Sequence, residues 1–182
     1  ATLAVRSGFR TDFVDTILGT NAHVTVYQSA EVDEFGRLDR KIYDYDAMAA
    51  RLAEVEGVTR AAPLVRGQVM GNKAGRNAGV EIYGITEENL KTIPNVANPE
   101  QAFGDINNFG KGVAIGSGVA RELGVASGDR IKLISPDGVK TAFGTSPRIK
   151  AYEVSYIFQA GRSDIDRTRI CMPLAEAQSF FN

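Results

Sequence analysis

The chain has 182 residues, 43% of them hydrophobic and 24% charged, with a formal net charge of −1. This is enough apolar material for one domain or two small ones, and the bulk charge calls for neither nucleic acid nor an anionic membrane surface. A single cysteine, Cys171, excludes an internal disulfide framework, and no apolar run reaches the roughly 18–20 residues that cross a bilayer.

The chain starts at Ala1, without Met and without a signal-peptide pattern, and so reads as a piece of a longer protein. Phe9, Phe13, Ile17 and Leu18 recur at roughly helical spacing, with Arg10, Asp12 and Asp15 between them. Residues 22–27 alternate and predict a strand around the only histidine, His23. Residues 44–55 predict the clearest helix, with an acidic start and Gly57 as its stop. Residues 58–70 read as a long strand bent near Pro63. Residues 71–79 form a turn-rich connection, and 80–85 are the second strand of a hairpin. Thr86 opens a short helix with capping-box character, and 91–110, with Pro94 and Pro99, read mostly as loop.

Val113-Ala-Ile115 is a strand, and Ser117 caps a helix over 118–123 that Gly124 ends. Gly128-Asp129 then turns into a strand over 130–135. Residues 148–158, β-branched and aromatic, form another, and Cys171 sits in a short buried-strand pattern over 169–172 as a small core hydrophobe. The end is a helix over 173–181 with Pro173 at its start. Helices at both ends could continue into membrane spans; ordinary terminal helices are the alternative. Interleaved strands and short helices make the class α+β (mixed α/β), with antiparallel pairs favoured over a doubly wound sheet.

No constellation supports an enzyme, a cofactor or a metal. The run from Gly104 to Gly112 resembles a phosphate loop, but five residues separate Gly104 from Gly110, and Gly112 stands where the magnesium-binding hydroxyl belongs. Gly116-Ser-Gly118 opens a helix as dinucleotide fingerprints do, yet Arg121 fills the third small-residue position. A lone His23 lacks the partners of a triad or a metal site. Asp44 with Asp46, and Asp164 with Asp166, read as helix caps and solvated turns.

One segment stands apart. Residues 136–147, bounded by Pro136 and Pro147, form a non-regular excursion longer than the roughly two to five residues that close a hairpin. It is either a floppy tip or a projecting arm that touches another protein, with Phe143 as an apolar anchor.

In order and spacing the chain resembles the periplasmic domain of the lipoprotein-releasing permeases LolC and LolE, within the MacB/FtsX type of ABC transporter. The resemblance runs through Ser7-Gly-Phe-Arg-Thr-Asp-Phe13, Gly57-Val-Thr-Arg-Ala-Ala-Pro63, residues 113–125 with Gly128-Asp129, Val154-Ser-Tyr-Ile-Phe158 and Met172-Pro-Leu-Ala-Glu-Ala-Gln178. It implies a two-lobed MacB-like periplasmic core domain on the periplasmic side of a bacterial inner membrane. Residues 1–21 would be a helix following a first membrane span. Residues 22–70 and 153–182 would form a mixed α/β lobe, and 71–152 an inserted β-rich lobe.

The resemblance also gives the excursion a role as a hook that catches a LolA-like periplasmic lipoprotein carrier, through Pro136, Ala142, Phe143, Gly144, Thr145, Ser146 and Pro147. A pad beside it falls on Lys132, Arg148, Ile149 and Lys150. The sequence departs from the family pattern at Ala142, where a LolC hook can carry proline, and at Ile149, where a polar residue is expected. Further implied partners are lipoprotein cargo, a paired permease subunit and a cytoplasmic LolD-like ATPase, with no nucleic acid. The resemblance leaves open LolC, LolE and a merged subunit. A mechanical relay of the MacB or FtsX kind, which should lack the long arm, is the competing reading.

Overall fold

The computed structural model describes residues 22–29, 31–32, 38–39, 41–141 and 144–181. The expected helix around Phe9, Phe13, Ile17 and Leu18 lies outside these residues, as do Ala142 and Phe143 at the tip of the excursion. The described chain divides into a smaller unit, within residues 22–63, and a larger one from residue 64 onward.

In the smaller unit, Glu31–Val32 (β1) pairs antiparallel with Leu38–Asp39 (β2). Helix α1 spans Tyr45–Ala53, with Asp44 at its N-cap and the acidic Asp46 in the first turn, where the helix dipole favours it. Gly57 follows with a φ of 87°, the left-handed conformation expected of a stop. The strand expected over residues 22–27 has no ladder, and Val24 and Tyr27 are exposed. Alternation supplies a face for a strand, but a ladder also needs a neighbour.

The larger unit is built on a curled sheet. Its strands are β3 (Val65–Lys73), β4 (Arg76–Ile85), β5 (Gln101–Gly104), β6 (Val113–Gly116), β7 (Arg130–Thr141), β8 (Gly144–Gln159) and β9 (Arg169–Pro173). The order is β5-β8-β6-β9-β4-β3-β7, and a further β7–β8 pairing joins the ends, so six strands close into a ring with β5 added at β8. The β4–β9 and β6–β8 pairs are parallel; the other pairs in the sheet are antiparallel. The class is therefore mixed α/β, as expected, with antiparallel pairing predominant.

Several expected bounds move. The strand expected from residue 58 starts at Val65, and the turn-rich connection narrows to Ala74-Gly75. Both have positive φ, 48° and 84°, which closes a two-residue turn whose twist matches the strands, so the ladder continues to Lys73↔Arg76. The stretch 91–110, read mostly as loop, contains helix α3 (Pro94–Ala97), strand β5 and a 3-10 turn over Ile106–Lys111. Pro94 opens α3 rather than breaking it, since its missing N–H is one the first turn does not use. Helix α2 (Glu87–Lys91) is capped as expected, the Thr86 hydroxyl accepting from the Asn89 N–H at 3.2 Å. Helix α4 (Ser117–Leu123) takes Gly116 rather than Ser117 as its cap and ends at Gly124, whose φ is 67°.

The lobe boundaries expected at 70/71 and 152/153 fall inside β3 and β8, both unbroken there. Residues 153–173 pair within the same sheet as residues 71–152.

The ring has apolar matter on both sides. Inside, Val69, Val80, Ile82, Ile115, Ile131, Leu133, Val154, Ile170 and Met172 meet Leu123 of α4 and Ala177 and Phe180 of α6 (Leu174–Phe181). Outside β6, β8 and β9, a second cluster joins Ala114, Tyr156, Phe158 and Cys171 to Leu90, Val96, Phe109 and Ile165, the last on the short helix α5 (Ser163–Asp166). Strands covered on both faces read as continuous apolar runs, which explains Val113-Ala-Ile115 and Ile170-Cys-Met172. Helix α6 lies close because Gly67 and Gly84 carry no side chain: a Cβ on either would collide with Phe181 or Ala177.

Cys171, in the central strand β9 between β4 and β6, is 2% exposed and free, and burial pushes its thiol up to about 12. A thiol reagent in native buffer should therefore label it slowly, through opening of the sheet, and quickly in denaturant. Rapid native labelling would contradict its place in the core.

Candidate partner-binding site

The excursion at 136–147 is more regular than its sequence implies. The β7–β8 ladder runs from Arg130↔Glu153 to Ser135↔Arg148, breaks, and resumes at Val139↔Ser146, ending at Thr141↔Gly144. The segment is a two-stranded ribbon with a bulge at its foot. Three residues, Pro136, Asp137 and Gly138, lie opposite Pro147 alone. Neither proline has an N–H to give the ladder, so the pairing fails where both strands carry one. Gly138 lets the strands stay close there, since a Cβ would collide with the carbonyl oxygen of Ser146. Of the expected hook residues, Pro136, Gly144, Ser146 and Pro147 are exposed; Thr145 pairs with Lys140 through its backbone.

The pad residues divide between the two faces of the sheet below the bulge. Cross-strand partners share a face, so Lys132, paired with Ala151, and Ile149, paired with Ile134, lie on one side. Arg148 and Lys150, paired with Ser135 and Leu133, lie on the other with Tyr152.

That second face meets helix α6. Arg148 Nη1 donates to the Ser179 and Phe180 carbonyls at 2.7 and 2.9 Å, satisfying acceptors that the helix end leaves open. Lys150 forms an ion pair with Glu176, and the Tyr152 hydroxyl donates to the same carboxylate at 2.8 Å. Tyr152 also meets Phe180 edge-on at 6.1 Å. The Lys150 ammonium, helped by the Tyr152 hydroxyl, holds the Glu176 carboxyl below the usual carboxylate range against the opposing effect of burial. Burial, then the Glu176 carboxylate, raises the Tyr152 hydroxyl. Glu176 and Tyr152 are thus site residues that sequence reading missed. No local motif marks them, because the contact joins elements 24 residues apart.

The first face is open. Ile149 is 56% exposed and Met70 43%. Met70 pairs with Ile134, which pairs with Ile149, so three apolar side chains run across β3, β7 and β8 with Lys132 beside them. Met70, Ile134, Pro136 and Pro147 border a shallow groove of about 570 Å³, which Gln68 and Glu81 also line. Glu81 is ion-paired to Arg66, and the Arg66 and Arg169 guanidiniums lie 5.1 and 4.0 Å from the Tyr83 ring.

The features set aside for chemistry occupy structural places. Backbone, not ligand, fills the space over Gly116 and Gly118: a Cβ on either would collide with the Asp166 carbonyl. Asp166 accepts from the Ala160 N–H at 2.7 Å, and Asp164 pairs with Arg162. His23 is exposed. Among the described residues, no three His, Cys, Asp or Glu side chains are placed to hold a metal, and no helix is long and apolar enough to cross a membrane.

The sequence pattern of the MacB-like periplasmic core domain matches residues 1–182, and the chain belongs to that family. It is 24% identical over 181 residues to the lipoprotein-releasing system transmembrane protein LolC of Neisseria meningitidis, a match covering 98% of this chain and 41% of that protein. It is 30% identical over 169 residues to LolC of Xylella fastidiosa, covering 91% and 38%, and 25% identical over 181 residues to LolE of Haemophilus influenzae, covering 98% and 42%. The chain thus spans about two-fifths of the length of these relatives. The resemblance to LolC and LolE read from the sequence is borne out.

Because the Glu176 carboxyl is held low in the folded state, its contacts stabilise above the ordinary glutamate value, and that stabilisation is lost as pH falls through the lowered one. The gap in Tm between the parent and Glu176→Gln should be widest near neutrality and close as pH drops below about 4.3. A gap that stays constant down the pH scale would refute the assignment.

Proposed function

We propose that this domain is the periplasmic part of an inner-membrane ABC permease subunit of the LolC/LolE kind, and that its arm over residues 136–147 docks a LolA-type lipoprotein carrier. The observation that carries the reading is the arm itself, a two-stranded ribbon extended past a double-proline bulge. The names of the relatives support the system, and the arm supports docking over a purely mechanical relay. In the two-lobed organisation of such domains, residues 64–181 would be the β-rich lobe.

The arm's contact surface is its tip, with Phe143 as anchor, continued onto the open face at its foot. There Ile149 and its neighbours supply apolar area and Lys132 supplies charge for steering an acidic partner. Arg148 and Lys150, engaged with α6, support the foot from behind. ATP hydrolysis belongs to a separate cytoplasmic subunit and lipoprotein cargo to the carrier's own pocket, so the domain works as a receptor, not as an enzyme.

Replacing residues 136–147 by an Asn-Gly turn should abolish binding of a purified LolA-type carrier while leaving circular dichroism and Tm near parental, since the ring core ends below the bulge. Phe143→Ala should cost on the order of 1–2 kcal/mol of binding. Lys132→Glu should mainly slow association, with an effect that shrinks as salt rises. Parental affinity in the turn replacement would overturn the docking role and return the relay reading to first place.

A further inference from the structure

We infer that helix α6 sets the direction of the arm, with Arg148 as the positioning residue. The bulge of Pro136, Asp137 and Gly138 against Pro147 interrupts the ladder between the ring and the arm while the strands stay closely apposed at Gly138, so the direction in which the ribbon leaves the ring follows from how its strands are held just below. Arg148 is the first paired residue below it on β8, and its Nη1 is fixed to the last carbonyls of α6 at 2.7 and 2.9 Å. Lys150 and Tyr152, the next residues on that face, are both tied to Glu176 of the same helix. The root of the arm is therefore held by one helix at successive points, and Gly67 and Gly84 seat that helix closely on β3 and β4. A shift or rotation of α6 must drag β8 below the bulge and re-aim the ribbon above it. Whatever acts on α6 in the whole protein thereby acts on the arm, and a partner seated on the arm acts in turn on α6.

The arm's direction can be read without any partner. In the 182-residue chain, nitroxides on Ser146→Cys in the arm and Glu88→Cys on α2 report it by pulsed electron resonance; both positions are exposed, and Cys171 is buried. Adding Arg148→Ala should broaden or shift the distance distribution by about two-fold in width and speed amide exchange in α6, with Tm little changed. Tyr152→Phe, which removes only a hydroxyl, should give a smaller change of the same kind if Arg148→Ala folds poorly. A parental distribution in a folded Arg148→Ala, or in Tyr152→Phe where Arg148→Ala does not fold, would overturn the inference.

A consequence for docking rests on the function proposed above. Arg148→Ala should weaken carrier binding about ten-fold, and Arg148→Lys should restore part of it, because a single donor still reaches the carbonyls. Altered distances with no carrier binding by the parent chain would leave the α6 link standing and remove the docking role. Unaltered distances with normal carrier binding would do the reverse.

Discussion

Everything in the larger unit depends on strand β8 having more than one neighbour along its length. Its first part, from Gly144 to Glu153, pairs with β7; its last, from Val154 to Gln159, lies between β6 and β5. Because one strand is common to both stretches, the strand order closes on itself into a ring. The outer cover of α2, α3 and the 3-10 turn sits on the part of β8 beyond this switch, and α6 sits on the part before it. One strand thus carries the barrel closure, the second core and the root of the arm.

The contacts between β8 and α6 differ in kind. The Lys150–Glu176 pair is partly exposed, and such pairs contribute little on their own. The burial of Phe180 and Ala177 holds the helix down; the Arg148 hydrogen bonds fix its end and the Glu176 contacts its rotation. Apolar area provides attraction without direction, and the polar contacts provide direction. This division explains why residues that a family pattern groups as one basic surface separate here. Alternation along β8 sends Ile149 outward and Arg148 and Lys150 toward the helix, and strand periodicity does not yield to the chemistry of the side chains.

Where a single local interaction decides the structure, the sequence was enough to read it. Thr86 as a cap, Gly124 as a stop and the helix over Tyr45–Ala53 all follow from neighbours in the chain. The ring was not legible, because the β3–β7 and β4–β9 pairings join strands far apart in sequence and no short pattern encodes them. The arm was visible as an anomaly of length, but its regular pairing was hidden by Pro136, Gly138 and Pro147, which read as loop residues and act as a bulge. The pad comes from the family resemblance, which groups Lys132, Arg148, Ile149 and Lys150 by position in the sequence. Only the register, set by β7, assigns the faces.

Ring closure has a consequence for the order in which this unit can form. Strand β4 ends at Ile85 and β6 at Gly116, yet the strand that fits between them, β9, begins only at Arg169. As the chain emerges from synthesis or export, the apolar faces of Val80, Ile82, Val113 and Ile115 must wait for nearly the whole unit before they are covered. Such long-range pairing is slow and leaves sticky edges in the interval, so a chain halted before residue 169 would not be a slightly shortened barrel but an open, aggregation-prone sheet.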